Sequence, residues 1–453
     1  MLFATHQRMT STDPVPSPQA PEQPGWFHPS TKLFRFTILV FVSLLTYGSY
    51  FAYDSVGAIA PTLLKVLNVD RSAIGTMYTV YSVAAIFSVF LGGLLIDKIG
   101  TRAASIIFAA LVAIGAAVVA IAPSIYVLYV GRFIFGAGSE SLVVAQSAIL
   151  ARWFKGKELA LSFGIALTIS RLGTLFSFNT EQMISNYFGS YQAALWAAVL
   201  FCLVSFCAVL AYCWLDRKGE RALKLEAGAS DDKIVLSDIK KFPASFWYVA
   251  ILCVTFYSAI FPFTALSTDF FHDKWGLPLT VAAQGGFFYQ VFNNIIHMFS
   301  TAGGTTTIII AASMFLAPFA GQLVDKIGKR ASLMILGSLL MIPSFLIMAF
   351  TMLPPRFPMM MLGASFVLVP AAMWPAVPLI VRKEMVGSAF GLITMIQNMG
   401  LALFPYLNGK MRDLTNTYTV SMVMFASLGF VGLVFAFLLK RADRREKGAL
   451  ERP

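Results

Sequence analysis

The sequence GLLIDKIGTR, at residues 93–102, indicates the fold most clearly. It occurs a second time as GQLVDKIGKR over residues 321–330, at an offset of 228 residues. A further correspondence lies at nearly the same offset, because the glycine-containing residues 163–173 match residues 390–400. Two correspondences in nearly the same register indicate that the chain consists of two halves with the same internal organisation.

The sequence around both copies is strongly apolar. Of its 453 residues, 58% are hydrophobic and 12% are charged, which leaves too little polar surface for a water-soluble globule. A transmembrane helix needs about 20 apolar residues, and runs of this kind recur along the whole chain. The predicted spans are residues 33–60, 72–96, 102–122, 124–150, 157–184, 191–214, 245–270, 303–323, 331–352, 358–381, 387–409 and 417–439. We therefore predict an all-α membrane protein with twelve transmembrane helices in two pseudo-symmetric six-helix bundles.

Positive charge is concentrated in the loops on one side of these spans. The net charge of +12 comes from Lys and Arg clusters between apolar runs, a pattern of membrane topology and not of nucleic-acid binding. Short loops rich in Lys and Arg stay in the cytoplasm, so both termini are predicted to be cytoplasmic and the membrane to be the inner or plasma membrane. The predicted divisions are a disordered tail at 1–30, a bundle at 31–215, a linker at 216–243, a bundle at 244–440 and a basic tail at 441–453.

The repeated stretch resembles a known loop signature. Its pattern GxxxDKxGxR is similar to the signature of the major facilitator superfamily, and Arg132, Gly136 and Gly138 match a second pattern of that family, RxxxGxG. The resemblance covers residues 33–440 and implies a secondary transporter with twelve helices.

The charged residues of both copies of the repeated stretch are predicted to have gating roles. Asp97 and Asp325, beside Arg102 and Arg330, can each face the positive N-terminus of a helix in the opposite half, while the glycines let the helices approach closely. Such contacts close the cytoplasmic side and break when the halves rock apart. The alternative is that both stretches are ordinary positive loops between spans.

One acid and one base lie at membrane depth, equally far from the loop that joins their spans. Glu140 is in the fourth predicted span and Arg171 in the fifth. Because the two spans are antiparallel and rise about 1.5 Å per residue, both charges are expected at a similar depth, facing one cavity. We interpret the pair as a binding site in which Arg171 holds a carboxylate and Glu140 an ammonium group. The alternative is a buried structural salt bridge.

The repeat places neutral side chains opposite this pair. Ser170 and Arg171 align with Gln397 and Asn398, so amides are predicted where the first half carries a charge. Trp374, in the tenth span, is predicted to form an aromatic wall of the cavity with one hydrogen-bond donor. The alternative for Trp374 is an anchor at the membrane interface.

Four further charges lie in or near the outer parts of the spans. Asp54 and Arg132 are predicted to form a second pair with a gating or structural role, or to carry protons. Glu181 and Asp269 lie close to outer span ends, where water is expected to reach them.

A closer resemblance narrows the cargo. The segments that carry it are residues 138–146, 153–161, 170–173, 374–375 and 387–400, which are similar to the branch of the superfamily that contains a lysosomal dipeptide transporter. The match implies that Glu140 and Arg171 hold the amino and carboxyl ends of a peptide and that Trp374 lines the cavity. It also implies that a dipeptide or similar zwitterion moves without an obligatory proton.

Residues 281–307 depart from the pattern of the branch by their length. They are expected to form an interfacial or re-entrant helix on the outer side, or a longer eighth span.

Other functions fit the same residues. A proton-coupled carrier of organic anions or amino acids would use Arg171 and Arg132 as anion ligands, and a membrane sensor or scaffold would bind a ligand without carrying it. The sequence holds no enzyme motif, metal-ligand cluster or cofactor site. The predicted partners are therefore a small zwitterionic substrate and the lipid bilayer, with no nucleic acid, metal or cofactor, and an accessory subunit is left open.

Overall fold

The computed structural model of the protein describes residues 28–29, 31–154, 158–223, 242–282, 284–382, 385–445, 448 and 450–452, without the side chains of residues 160, 222, 223, 318 and 325. Within these ranges the chain forms fourteen α-helices and a short 3-10 turn at Met298–Ser300. The helices are α1 (Lys32–Leu44), α2 (Tyr47–Ala58), α3 (Ala60–Leu67), α4 (Arg71–Ile121), α5 (Ile125–Phe154), α6 (Leu159–Phe188), α7 (Tyr191–Leu223), α8 (Ala244–Trp275), α9 (Phe287–Ile296), α10 (Ala302–Ile327), α11 (Arg330–Phe350), α12 (Arg356–Ile380), α13 (Val386–Thr415) and α14 (Thr419–Arg445).

Most of these helices are long and apolar enough to cross a membrane. Ten helical segments of the described ranges meet that condition, with α1 and α2 acting together as one. The segment Arg71–Ile121 is 51 residues long, about twice the length that one span needs, and its helical backbone breaks at Gly100. With α4 counted as two spans and α10 added, the described part of the chain contains the twelve predicted spans, and the predicted fold class is confirmed.

The two glycines at matching positions of the repeated stretch have a common backbone role. Gly100 has φ of 81° and Gly328 has φ of 63°, a region that residues with a side chain rarely adopt. Each glycine lies where one span ends and the next begins. Both copies of the repeated stretch therefore have a glycine with positive φ where the chain passes from one span to the next.

The two halves comprise α1–α7 and α8–α14, and both present two faces. We call the side with the ends at Lys32, Phe154 and Arg445 the terminal face, and the opposite side, with the ends at Leu67 and Trp275, the distal face. Helix α7 continues to Leu223, into the segment predicted as a linker. Residues 224–241 of that linker and residues 1–27 and 30 of the predicted tail lie outside the described residues.

The halves meet closely on the distal face through glycines of α4 and α13. A side chain at Gly75 would lie 2.2 Å from the carbonyl oxygen of Pro405, and one at Gly409 would lie 2.3 Å from the carbonyl oxygen of Arg71. The hydroxyl of Thr79 in α4 also donates to the carbonyl of Ala402 in α13. Only glycine permits this approach of the two backbones.

On the terminal side, the glycines do not make such close contacts between the halves. At Gly93, Gly164 and Gly321, each near the terminal end of its helix, an added side chain would meet open space. The close approach expected for the glycines of the repeated stretch is therefore not formed at Gly93 and Gly321 in this conformation. The conformation is closed on the distal face.

Candidate functional site

Arg171 lies between the halves and contacts aromatic rings from both. Its guanidinium carbon is 5.4 Å from the ring centre of Tyr50 in α2, 5.7 Å from that of Phe261 in α8 and 5.4 Å from that of Phe366 in α12. Cation–π contacts of this length stabilise a charge away from water. Its Nε is buried and has no hydrogen-bond partner among the described residues, so one donor of the guanidinium is unpaired in this conformation.

Asp54 shares a small cavity with Arg171. The cavity measures about 10 Å³ and is also lined by Thr174, Phe261 and Phe366, which leaves room for about one water molecule. Asp54 itself is buried. Sequence reasoning paired Asp54 with Arg132; the structure places Asp54 within electrostatic range of both Arg171 and Arg132.

Glu140 is held by a neutral donor. The Tyr81 hydroxyl donates to Oε1 of Glu140 over 2.7 Å and lies 3.1 Å from the hydroxyl of Ser139. Both Glu140 and Arg171 are partly exposed, and Tyr50 lies within electrostatic range of both. Among the ion pairs of the described residues there is none between Glu140 and Arg171, so the structural salt bridge is not formed in this conformation.

A row of rings connects Arg171 to Trp374. Phe261 stacks on Tyr257 with ring centres 5.8 Å apart, and the Tyr257 hydroxyl accepts a hydrogen bond from Nε1 of Trp374 over 3.0 Å. Trp374 also packs on Phe390. These rings all belong to the second half, so that half contributes an aromatic wall to the region around Arg171.

The two predicted amides lie on α13. Gln397 is partly exposed, and its Oε1 is 3.7 Å from the thiol of Cys253 in α8. Asn398 is buried, and its amide donates to the carbonyl of Thr394 one turn earlier in the same helix. In this conformation Gln397 is therefore the more accessible of the two.

Arg132 is enclosed by backbone carbonyls and rings. It is 1% exposed, its guanidinium donates to the carbonyls of Ala52 and Tyr53 over 3.2 and 3.3 Å, and it lies 4.9 Å from the ring centre of Tyr78. No ion pair joins it to Asp54 among the described residues. An anion therefore has no access to Arg132 in this conformation.

The first copy of the repeated stretch forms an ion-pair cluster with the end of α7. Arg102 lies 2.6 Å from Glu220 and 3.5 Å from Asp216, and Arg152 lies 3.2 Å from Asp216. The indole nitrogen of Trp153 donates to Asp216 over 2.7 Å. Sequence reasoning missed Asp216 and Glu220, because both fall in the segment predicted as a linker.

Removal of the central acid of this cluster is expected to destabilise the protein. Asp216 is fully buried, and Asp216→Asn removes the buried one of the two acids that Arg102 and Arg152 share, leaving only the partly exposed Glu220. Breaking a buried ion pair costs about 3 kcal/mol, so the melting temperature in detergent should fall by several degrees. Glu220→Gln is the matched control, because its side chain is 33% exposed and should matter less. Equal melting of Asp216→Asn and the unmodified protein would contradict this role.

The second copy has different partners. The amide of Arg330 donates to the carbonyl of Leu450 over 2.8 Å, and its guanidinium donates to the carbonyl of Arg452 over 3.2 Å. The side chain of Asp97 is exposed, while that of Asp325 lies outside the described residues. The gating roles of Asp97, Arg102, Asp325 and Arg330 thus stay predictions.

The distal face carries charged contacts between the halves that sequence reasoning missed. Nε of Arg71, at the start of α4, lies 2.6 Å from Asp269 in α8. The carboxylate of Asp413 in α13 accepts from the backbone amides of Arg71 and Ser72 over 3.0 and 2.9 Å. A carboxylate at a helix N-terminus is stabilised by the unpaired amides and the helix dipole, so the kind of contact expected of Asp97 is made here by Asp413.

Two expectations about outer charges are corrected. Asp269 is 5% exposed and Glu181 is 0% exposed, although both were expected to reach water. Arg71 of the opposite half and Tyr418 of its own half both contact Asp269. Both carboxylate oxygens of Glu181 lack a hydrogen-bond partner among the described residues. Depth along a span does not reveal which neighbouring helix covers a side chain.

The fold and these polar groups define a membrane transporter with two repeated bundles. Residues 39–302 and 286–452 match the Major Facilitator Superfamily, and the chain belongs to this family.

Similar proteins point to one branch of it. The chain is 32% identical over 438 residues to the protein of Danio rerio named lysosomal dipeptide transporter MFSD1, covering 93% of this chain and 90% of that protein. It is also 32% identical over 447 residues to the Homo sapiens protein of the same name, covering 94% and 91%. Among solved structures, a mutant of the peptide transporter POT in complex with alafosfalin matches with a TM-score of 0.70 at 13% identity, over 91% of this chain and 95% of that one, which supports the fold.

Proposed function

We propose that the protein carries dipeptides and similar small zwitterions across the membrane by alternating access, as a uniporter. The observation that carries this proposal is the position of Arg171, whose guanidinium lies between rings of both halves with Nε unpaired among the described residues. A guanidinium in such surroundings binds a carboxylate in a two-pronged geometry.

The second charge of the cargo is matched by Glu140. Its carboxylate has one neutral donor, Tyr81, and no cation among the described residues, so it has capacity for an ammonium group. A ligand with a carboxylate and an ammonium group satisfies Arg171 and Glu140 together, as the two ends of a dipeptide do. The name of the MFSD1 relatives supports this substrate class.

Two features support alternating access. The distal face is closed by the Asp413 and Asp269 contacts, and the terminal side has open space at Gly93 and Gly321. When the halves rock, the distal contacts break and the glycines of the repeated stretch come together with the opposite half, with Asp97 and Asp325 as gating residues.

The membrane in which the protein works is part of the proposal. The relatives are named as lysosomal, whereas the Lys and Arg distribution predicts the plasma membrane with both termini in the cytoplasm. Fluorescence microscopy of the tagged protein, with an antibody against the N-terminus before and after permeabilisation, distinguishes the compartments and tests the orientation.

Uptake into proteoliposomes tests the transport function. We expect a labelled dipeptide to enter vesicles and to exchange against internal unlabelled dipeptide, with no requirement for a pH gradient. Stimulation only by an inward proton gradient would contradict uniport. Strong inhibition by carboxylates without an amine would favour the organic anion carrier, although the enclosed Arg132 speaks against it. Thermal stabilisation by dipeptide without any exchange would indicate the sensor.

A further inference from the structure

Helix α9 lies within residues 281–307, and it has its polar and apolar sides reversed relative to a helix in water. Phe288, Phe292 and Ile296 follow one another at four-residue spacing and are 84%, 62% and 58% exposed. Four-residue spacing places them on one face. On the opposite side Asn294 is buried. An apolar outer face with a polar inner face is the arrangement of a helix that faces lipid.

The neighbourhood of α9 extends the same apolar surface. Phe287 packs on Tyr187 and Phe188 at the distal end of α6, with ring centres 5.4 and 5.7 Å apart, and the rings of Tyr187 and Phe188 are themselves exposed. Aromatic side chains at the ends of spans are typical of the membrane interface. The chain enters the α10 span at Ala302, six residues after α9 ends, so α9 lies at the level of that interface.

The contacts of Asn294 join the halves. Its amide donates to the carbonyl of Asn179 in α6, and its Oδ1 accepts from the amide of Val281 over 2.8 Å. The amide of Asn179 in turn lies 3.4 Å from the hydroxyl of Thr307 in α10. Helix α9 therefore belongs to the second half by sequence and contacts the first half by its buried side.

We propose that α9 is an interfacial lipid anchor that straps the halves together on the distal face. It inserts Phe288, Phe292 and Ile296 into the distal leaflet, and its Asn294 holds α6 of the first half against α9 of the second. Residues 279–300 contain no Lys, Arg, Asp or Glu, so insertion depends on apolar area and not on anionic lipid headgroups. This inference concerns the membrane contact and holds whatever the cargo is.

A depth measurement tests the anchor. In a Cys207→Ser background, which removes the exposed cysteine, an environment-sensitive fluorophore is attached to Phe288→Cys, and the protein is reconstituted in phosphatidylcholine vesicles. We expect a blue-shifted emission that is strongly quenched by lipids with a spin label near the headgroup, unchanged when anionic lipid is added. The control label at Lys65→Cys, exposed on the distal end of α3, should show neither effect. Equal emission and no quenching at the two sites would overturn the anchor, as would crosslinking of Phe288→Cys to a second copy.

A pair of asparagine variants tests the strap. Asn294→Ala removes the bond to α6, and Asn293→Ala, one residue earlier and partly exposed, is its matched control. Thr264 lines the small cavity beside Arg171, and Thr264→Cys can be labelled by a membrane-impermeant maleimide added on the distal side. We expect Asn294→Ala to raise the labelling rate about fivefold, the effect of one lost hydrogen bond, and Asn293→Ala to leave that rate unchanged. Equal rates in the two variants would overturn the strap.

Discussion

Arg171→Ala is expected to lower kcat/KM for dipeptide uptake by about 100-fold, the loss of two charge-assisted hydrogen bonds to the substrate carboxylate. The effect is large because the guanidinium lies among Tyr50, Phe261 and Phe366, where water competes weakly for the carboxylate. Initial rates in proteoliposomes measure it.

Two controls separate binding from folding. Arg171→Lys keeps the charge but loses the planar fork, so it should recover only a small part of the activity. Arg441→Ala removes an exposed arginine of α14 and should leave uptake unchanged. Uptake by Arg171→Ala at the level of Arg441→Ala, with both proteins folded, would remove Arg171 from the site.

Asp269→Asn is expected to open the distal face. The substitution breaks the buried ion pair with Arg71 that joins the halves, and Arg71 is only partly exposed, so solvent replaces the lost contact incompletely. The equilibrium between the two conformations should shift by about tenfold. The measurement is the rate at which a membrane-impermeant maleimide, added on the distal side, labels Thr264→Cys in the cavity wall.

A second ion pair on the same face provides the control. Arg412 and Asp273 lie 3.2 Å apart, but both belong to the second half, so Asp273→Asn should leave labelling unchanged. Asp413→Ala, which removes the carboxylate from the N-terminus of α4, should act like Asp269→Asn. Equal labelling of the Asp269→Asn and Asp273→Asn proteins would mean that the ion pair between the halves does not hold the distal face closed.

The fold could be predicted from the sequence because membrane spans depend on composition and length alone. The repeat also pairs Gly100 with Gly328, and both have a positive φ that other residues rarely adopt, although the sequence had indicated close helix approach and not a turn as the role of these glycines. The apolar runs did not show where a helix continues past its span, as at the end of α7. Helix α9 lies within residues 281–307, where the sequence predicted an interfacial or re-entrant helix or a longer eighth span.

The charged contacts were harder to predict because the repeat preserves positions but not partners. Arg102 and Arg330 match, yet the positions 228 residues after Asp216 and Glu220 are Arg444 and Gly448. At the 227-residue offset that relates residues 163–173 to residues 390–400, however, Asp216 matches Asp443, which is buried and accepts from the amide of Leu450. Arg330 itself contacts carbonyls near the C-terminus. Ion pairs between the halves, such as that of Arg71 with Asp269, cannot be predicted from one sequence, because the sequence does not show which helices of opposite halves are in contact.

The proposed binding groups could be predicted in part. Counting residues back from a common loop predicted similar depths for Glu140 and Arg171, and Tyr50 lies within electrostatic range of both. The same count could not reveal that Tyr81 holds Glu140 or that Asp54 lines a cavity with Arg171.

Competition by end-blocked dipeptides tests whether the site binds both charged ends of a dipeptide. Inhibition constants for a free dipeptide and its N-acetylated form are measured against labelled dipeptide uptake, in the unmodified protein and in Glu140→Gln. If Glu140 binds the ammonium end, the unmodified protein should prefer the free dipeptide by about tenfold or more, and Glu140→Gln should lose most of that preference by binding the free dipeptide more weakly. An undiminished preference in Glu140→Gln, or equal inhibition by both peptides in the unmodified protein, would contradict a site built for two opposite charges.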